Sequence, residues 1–370
     1  MSAWKGCQGF ALADKDRGDH RRRTIVTLVG EGKAVTTSLA LTRRRSRARR
    51  IMIRLAWAVG ILGVMIISCA IILWNWPTGF YWISTYAGRT AAGLRLEELE
   101  VDGLRTPTLD GGPTESSDQL ILERTPILFL HGWGTGKEAM LSEMRWFGRS
   151  RRVIAPDLPG FGDNPFPIDR AVFDVTRYLK WIEEFRVTAK LGRIDLVGES
   201  MGGALAAAYA ASYPDSVRRL VLQAPAGVRA PKTNAFMREI EDGGNPLLIE
   251  TGEDFDRVVG LCFVDPPPIP TPFKNYLVNR AISNRLKMPE MIESMRSFLV
   301  EGNEQILGLI RAPTLILYGD QDEITDASML EVYRDGIANS HGVLIPGAGH
   351  VIMYDAPKQT IREIAGFLDQ

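Results

Sequence analysis

Ser200 stands at the centre of Gly198-Glu199-Ser200-Met201-Gly202, a Gly-x-Ser-x-Gly pattern in which a serine can serve as nucleophile. A serine hydroxyl attacks only when a general base takes its proton and a third group orients that base. The chain has four histidines, which narrows the choice of base. His20 lies in the N-terminal tail, His131 ends an apolar run ahead of the serine, His341 precedes the last apolar run, and His350 follows it in Gly347-Ala348-Gly349-His350. Where a serine occupies a strand-to-helix elbow, its partners follow in the order Ser, Asp or Glu, His, with the histidine on the loop after the last strand. His350 satisfies that order and His341 does not. The acid is expected in Gly319-Asp320-Gln321-Asp322-Glu323. Asp322 is the first choice, because the turn starting at Gly319 should point the later residue toward the histidine. Asp320 is the second choice, with turn capping as its alternative role.

Attack on a carbonyl leaves an oxyanion that needs two donors already in place. One should be the backbone N–H of Met201, next after the nucleophile, and the other should come from the loop after an earlier strand. Leu130-His131-Gly132-Trp133-Gly134 supplies such a loop, and the N–H of Trp133 is the second candidate donor. His131 then reads as a structural histidine packed beneath this loop.

These groups need a scaffold that holds them. Ile194–Val197 is an apolar run of strand length, a glycine-rich turn follows, and Ala204–Ala211 is rich in helix-forming alanine. Gly198 and Gly202 are needed because the tight turn leaves no room for a Cβ. The free N–H groups and dipole of the following helix favour negative charge beside Ser200. Further strands are expected at Val101–Leu109, Gln119–Leu122, Ile127–Leu130, Arg152–Ala155, Leu220–Gln223, Thr314–Tyr318 and Gly342–Ile345, with Asp110-Gly111-Gly112-Pro113 as a turn between the first two. Helices are expected at Lys137–Phe147, Ala171–Phe185, Ala204–Ser212, Ala327–Asp335 and Lys358–Leu368. Strands alternating with helices predict an α/β fold with a mostly parallel central sheet flanked by helices. The alternation stops over residues 226–310, where prolines cluster among apolar helical pieces. Ligands of such sheets bind beyond the carboxyl ends of the strands, where this insertion emerges, so it reads as a helical cap over a substrate pocket. Its Phe236, Leu247, Phe255, Leu261, Phe263 and Phe273 either line an acyl channel or form the cap's own core, the second being the better reading for most of them.

The 370 residues suit one large α/β domain with appendages, and 44 basic residues balance 44 acidic ones, so no overall field points to nucleic acid. Of three cysteines only Cys262 lies in the globular part, so neither an internal disulfide nor a zinc or other metal site is expected. Leu55–Trp74 carries no charge over 20 residues, which as a helix spans about 30 Å, the thickness of a bilayer core. Arginines from Arg43 to Arg54 precede it and Trp74, Trp76, Tyr81 and Trp82 follow. That asymmetry predicts a single-span transmembrane anchor with the globular part on the extracytoplasmic face, periplasmic in a bacterium. The expected organisation is a basic disordered tail over 1–50, an anchor with interfacial aromatics over 51–82, a linker over 83–100, a core in two parts over 101–225 and 311–370, and the cap over 226–310. Met52 is an alternative translation start, which would leave the tail unmade.

Together HGWG (131–134), DLPGFGDN (157–164), GESMGG (198–203), LYGDQDEI (317–324) and GAGH (347–350) resemble the α/β-hydrolase superfamily over residues 101–370. Within it, the N-terminal anchor, the GESMGG elbow, the proline-rich cap and GHVIMYDAP (349–357) are similar to membrane-anchored monoacylglycerol lipases and related bacterial lipases. That resemblance implies Ser200 as nucleophile, Asp322 as acid, His350 as base and Trp133 with Met201 as oxyanion donors. It also implies hydrolysis of a medium-chain or long-chain acyl ester with no cofactor. Two other readings stand beside it: a carbon–carbon bond hydrolase of the meta-cleavage type, against which Val351 after His350 counts because those enzymes usually place an aromatic there, and a non-catalytic hydrolase-like interaction module.

Overall fold

Apolar runs of strand length become strands at six of the expected places. The computed structural model describes residues 38–113, 124–164, 174–284 and 288–370. The expected strand Gln119–Leu122, the start of the helix expected from Ala171 and most of the expected tail lie outside them. The chain divides into two compact units, residues 1–67 and 68–370.

Helix α1, Ser38–Trp74, carries the apolar run. Its segment Arg49–Trp74 is 26 residues long and contains an 18-residue stretch with a mean hydropathy of 2.5, none of it buried. At 1.5 Å per residue it extends about 39 Å, so among the described residues it is one helix long and apolar enough to cross a membrane. Pro77 then opens α2, Pro77–Ala91, in the first turn, where its missing N–H costs nothing.

The remaining elements run β1 (Leu94–Val101), β2 (Leu104–Gly111), β3 (Ile127–Leu130), α3 (Leu141–Phe147), β4 (Val153–Pro156), α4 (Val175–Thr188), β5 (Ile194–Glu199), α5 (Met201–Ser212) and β6 (Val217–Gln223). After β6 come α6 (Ala235–Glu241), α7 (Gly252–Cys262), α8 (Thr271–Asn284) and α9 (Met288–Arg296), then β7 (Thr314–Gly319), α10 (Met329–Gly336), β8 (Ser340–Ile345), α11 (Ile352–Asp355) and α12 (Pro357–Leu368). The eight strands form one sheet in the order β1-β2-β4-β3-β5-β6-β7-β8. Only β2 runs against its neighbours, and the other pairs are parallel. Side chains alternate across this sheet as strand geometry requires. Leu128, Leu130, Leu196, Leu220, Leu222 and Ile316 face one apolar cluster, and Ile127, Phe129, Val197, Val221, Leu315 and Leu317 face the other. Helices α4, α5 and α10 cover the first side, and α3, α11 and α12 the second.

The first hairpin departs from the expected pattern. Residues 83–100, expected as a linker, hold the end of α2 and nearly all of β1, and Leu94 pairs with Gly111 through to Val101 with Leu104. The turn is Asp102-Gly103, whose φ values of 50° and 68° are both positive, as a two-residue turn matching the strand twist demands. Asp110 and Gly111, expected in the turn, are inside β2. Leu94 joins one apolar cluster and Val101, with Leu99 against it, joins the other, while Glu98 and Glu100 are exposed, so this acidic segment is held as a strand by burial at its two ends and by its pairing with β2.

Between β6 and β7 the described residues form helices and no strand, matching the expected insertion. Phe236 packs with Met237 and Ile324, joined by Leu247 and Leu261, so these apolar residues form a local core. Phe273 on α8 meets Tyr81 of α2 at 5.2 Å between ring centroids, and Tyr276 stacks on Tyr81 at 3.9 Å and 16°.

Candidate active site

The β5 strand delivers Ser200 and α5 begins at the next residue. Ser200 has φ 53° and ψ −118°, a region that L-residues avoid. Strict clearances hold this elbow. A Cβ on Gly198 would lie 2.3 Å from the Gly202 carbonyl oxygen, and one on Gly202 would lie 2.3 Å from that of Leu130. The backbone of Ser200 is tied on both sides, its N–H donating to the Gln223 carbonyl at 2.9 Å and its carbonyl accepting from Ala204 at 3.0 Å.

The loops after β7 and β8 bring a carboxylate to an imidazole. His350 Nδ1 lies 2.9 Å from Asp322 Oδ2, and both side chains are buried. An Nδ1–H donating to the carboxylate leaves Nε2 as the acceptor, the tautomer that a general base needs. Asp322 is itself fixed, since Oδ1 accepts from the backbone N–H groups of Ile324 at 2.8 Å and Thr325 at 2.9 Å. Asp320 is exposed and points elsewhere, its Oδ1 accepting from the Gly347 N–H at 2.7 Å, which makes it a brace between the two loops. Gly319 lets them meet, because a Cβ there would lie 2.2 Å from the carbonyl oxygens of Ala348 and Gly349. Burial alone would lower the pKa of His350, but the Asp322 charge and hydrogen bond, with Glu199 adding, raise it above the ordinary histidine value.

The loop after β3 lies beside the start of α5, since Gly202 abuts the carbonyls of Leu130 and His131. Trp133 packs edge-on to Phe161 at 5.1 Å. Neither the Trp133 nor the Met201 N–H is used in a backbone hydrogen bond among the described residues. His131 is fully buried. Its Nε2 accepts from the Leu158 N–H at 3.0 Å, so Nδ1 carries the proton and donates to the Gly132 carbonyl at 2.8 Å. Burial lowers its pKa; it is a neutral structural histidine, as expected from its place. His341 is exposed on β8 and pairs with Leu315.

A buried charge cluster supports the far end of this loop. Lys137 Nζ lies 2.8 Å from Asp157, 3.0 Å from Asp163 and 3.2 Å from Glu138. The chain of charges continues to Arg280 on α8, 3.7 Å from Asp163, and to Arg89 on α2, 3.6 Å from Glu138. Gly162 makes the Asp157 position possible, since a Cβ there would overlap its carboxylate at 1.9 Å. The sequence motif DLPGFGDN is thus a carboxylate cradle for Lys137.

Two residues of the site lie outside the sequence-based expectation. The Thr325 hydroxyl sits 2.8 Å from Asp322 Oδ2 and 3.2 Å from both His350 Nδ1 and the Ala224 carbonyl. Its signal was available as a hydroxyl residue three positions after the acid, a local capping spacing. Glu199, the unspecified position before the serine, places Oε1 3.7 Å from His350 Nε2, and nothing in the pattern marks it.

The profile of the alpha/beta hydrolase fold family matches residues 125–357. Lipase 3 of Moraxella sp. (strain TA144) is 27% identical over 275 residues, covering 74% of this chain and 85% of its own length. Monoacylglycerol lipase ABHD6 of Rattus norvegicus is 26% identical over 327 residues, covering 84% of this chain and 93% of its own. Among solved structures, a membrane phospholipase A described as a bacterial virulence factor superimposes with a TM-score of 0.74 at 32% identity, over 85% of this chain and 98% of that one.

Proposed function

The chain belongs to the α/β-hydrolase fold family, and on that premise we propose that it is a serine hydrolase of lipid-like carboxylic esters. Ser200 Oγ attacks the ester carbonyl carbon while His350 Nε2 takes its proton, and Asp322 holds the imidazole in the required tautomer. The N–H groups of Trp133 and Met201 receive the carbonyl oxygen as it becomes an oxyanion. The bond to the alcohol oxygen breaks as His350 returns the proton to it, leaving an acyl group on Ser200. Water then attacks through the same base, releasing the acid and restoring the serine. The observation that carries this reading is the 2.9 Å contact between His350 and Asp322, with a serine held at φ 53° next in the chain to Glu199, whose carboxylate lies 3.7 Å from His350 Nε2.

Relatives named lipase and monoacylglycerol lipase and a neighbour named membrane phospholipase A favour an acyl ester of an amphiphile. The test is hydrolysis by the detergent-solubilised chain across p-nitrophenyl esters of rising chain length, a monoacylglycerol and a phospholipid. Activity is expected to rise with acyl length and to include at least one of the two lipids. A folded chain that turns over none of them sinks the reading.

The apolar helix suits a single-span anchor, with the arginines of residues 43–54 on the cytoplasmic side and the catalytic unit outside. On sealed inside-out vesicles, protease added without detergent is expected to leave that unit intact. Its digestion would reverse the topology.

A further inference from the structure

His350 has a carboxylate on each side. Asp322 takes Nδ1, and Glu199 Oε1 lies 3.7 Å from Nε2, the two facing side chains only 5% and 6% exposed. That separation is too long for a hydrogen bond, so Nε2 keeps its lone pair for the serine proton. In a site this dry, however, a charge so close acts strongly on its neighbour. The same carboxyl lies against Gly132, where a Cβ would come within 2.3 Å of Glu199 Oε2. One side chain therefore touches the base on one side and, on the other, the backbone one residue before Trp133.

We infer that Glu199 is a positioning residue of this site, which holds the loop carrying the Trp133 N–H and stabilises the imidazolium that forms on His350. The inference rests on the reading of Ser200 and His350 as nucleophile and base. As the proton leaves Ser200, a positive ring forms between two carboxylates, and each favours it. Burial lifts the Glu199 carboxyl above its ordinary range, His350 and the Gly132 N–H oppose that, and Asp322 adds to it. Its negative charge is therefore greatest when His350 is protonated, which is the state it stabilises. The other groups facing Glu199 are Glu143 of α3, Cys262 of α7 and Tyr354 of α11. Glu143 is pushed up to about 7 by burial and takes a hydrogen bond from Gln223 Nε2 at 3.2 Å. Cys262 and Tyr354 are each pushed up to about 12 by burial, so both are neutral where the base titrates, and the carboxyls that act on the ring are Asp322 and Glu199.

The test compares the pH dependence of kcat/KM for a short p-nitrophenyl ester in the full wild-type chain and in Glu199→Gln, which keeps shape and acceptor and removes the charge. Losing an opposite charge at this range is expected to move the acid limb to lower pH by about 1 unit or more, with KM little changed, and Glu199→Asp is expected to move it back toward wild type. An active Glu199→Gln chain whose acid limb stays at the wild-type pH overturns the inference. Should that chain fail to fold, Glu199→Met carries the same expectation and the same overturning outcome. Failure of the underlying reading is seen separately, as turnover that survives Ser200→Ala.

Discussion

Ser200→Ala is expected to lower kcat for ester hydrolysis by about 10⁶-fold, the scale of loss when a triad nucleophile is removed. The protein should still fold, because the elbow is held by backbone bonds to Gln223 and Ala204 and by glycine clearances that the substitution leaves alone. A second substitution separates chemistry from strain. Ser200 sits at φ 53° and ψ −118°, a conformation costing roughly 1–3 kcal/mol for a residue with a Cβ. Ser200→Gly should therefore be as inactive as the alanine variant yet unfold at a higher temperature than wild type. Turnover that persists in both variants would remove Ser200 from the mechanism. A glycine variant no more stable than wild type would mean that the elbow stores no strain.

Asp322→Asn should cost about 10⁴-fold in kcat, because an amide facing Nδ1 favours the wrong imidazole tautomer. Asp320→Asn should cost less than about tenfold, since it weakens only the brace to the Gly347 N–H. Both variants are read from kcat on one ester substrate. Equal losses would mean that the acid has been misassigned, whatever the 2.9 Å distance suggests.

These two aspartates mark what a sequence can convey. Asp322, His350 and Ser200 each stand just beyond an apolar strand, and chain order with loop position picked out the aspartate and histidine that the structure brings together. The choice between Asp320 and Asp322 followed from a turn starting at Gly319, and the turn does carry Asp322 inward and leave Asp320 outside. Glu199 escaped because the pattern around Ser200 constrains glycines by clearance and leaves the intervening position free. Its partner, His350, is 151 positions away, and no local periodicity reports such a meeting. The β1 strand escaped for a different reason. Asp110-Gly111-Gly112-Pro113 is a denser turn signal than Asp102-Gly103, yet the pairing of Leu94 with Gly111 settles the register through eight cross-strand pairs, which outweighs local composition. The acidic run over residues 97–102 concealed a half-buried strand.

The packing of α2 decides where the chain can be cut to make a soluble enzyme. Gly79, Tyr81, Thr85 and Arg89 are buried on that helix, Tyr81 stacks on Tyr276, and Arg89 meets Glu138. An expression boundary at residue 83, where the sequence suggested a linker, would discard the ring under Tyr276. One at residue 101 would also discard nearly the whole partner strand of β2. A truncation that starts just before Pro77 removes the apolar run and keeps every one of these contacts, so α2 belongs to the hydrolase fold and not to the apolar helix before it.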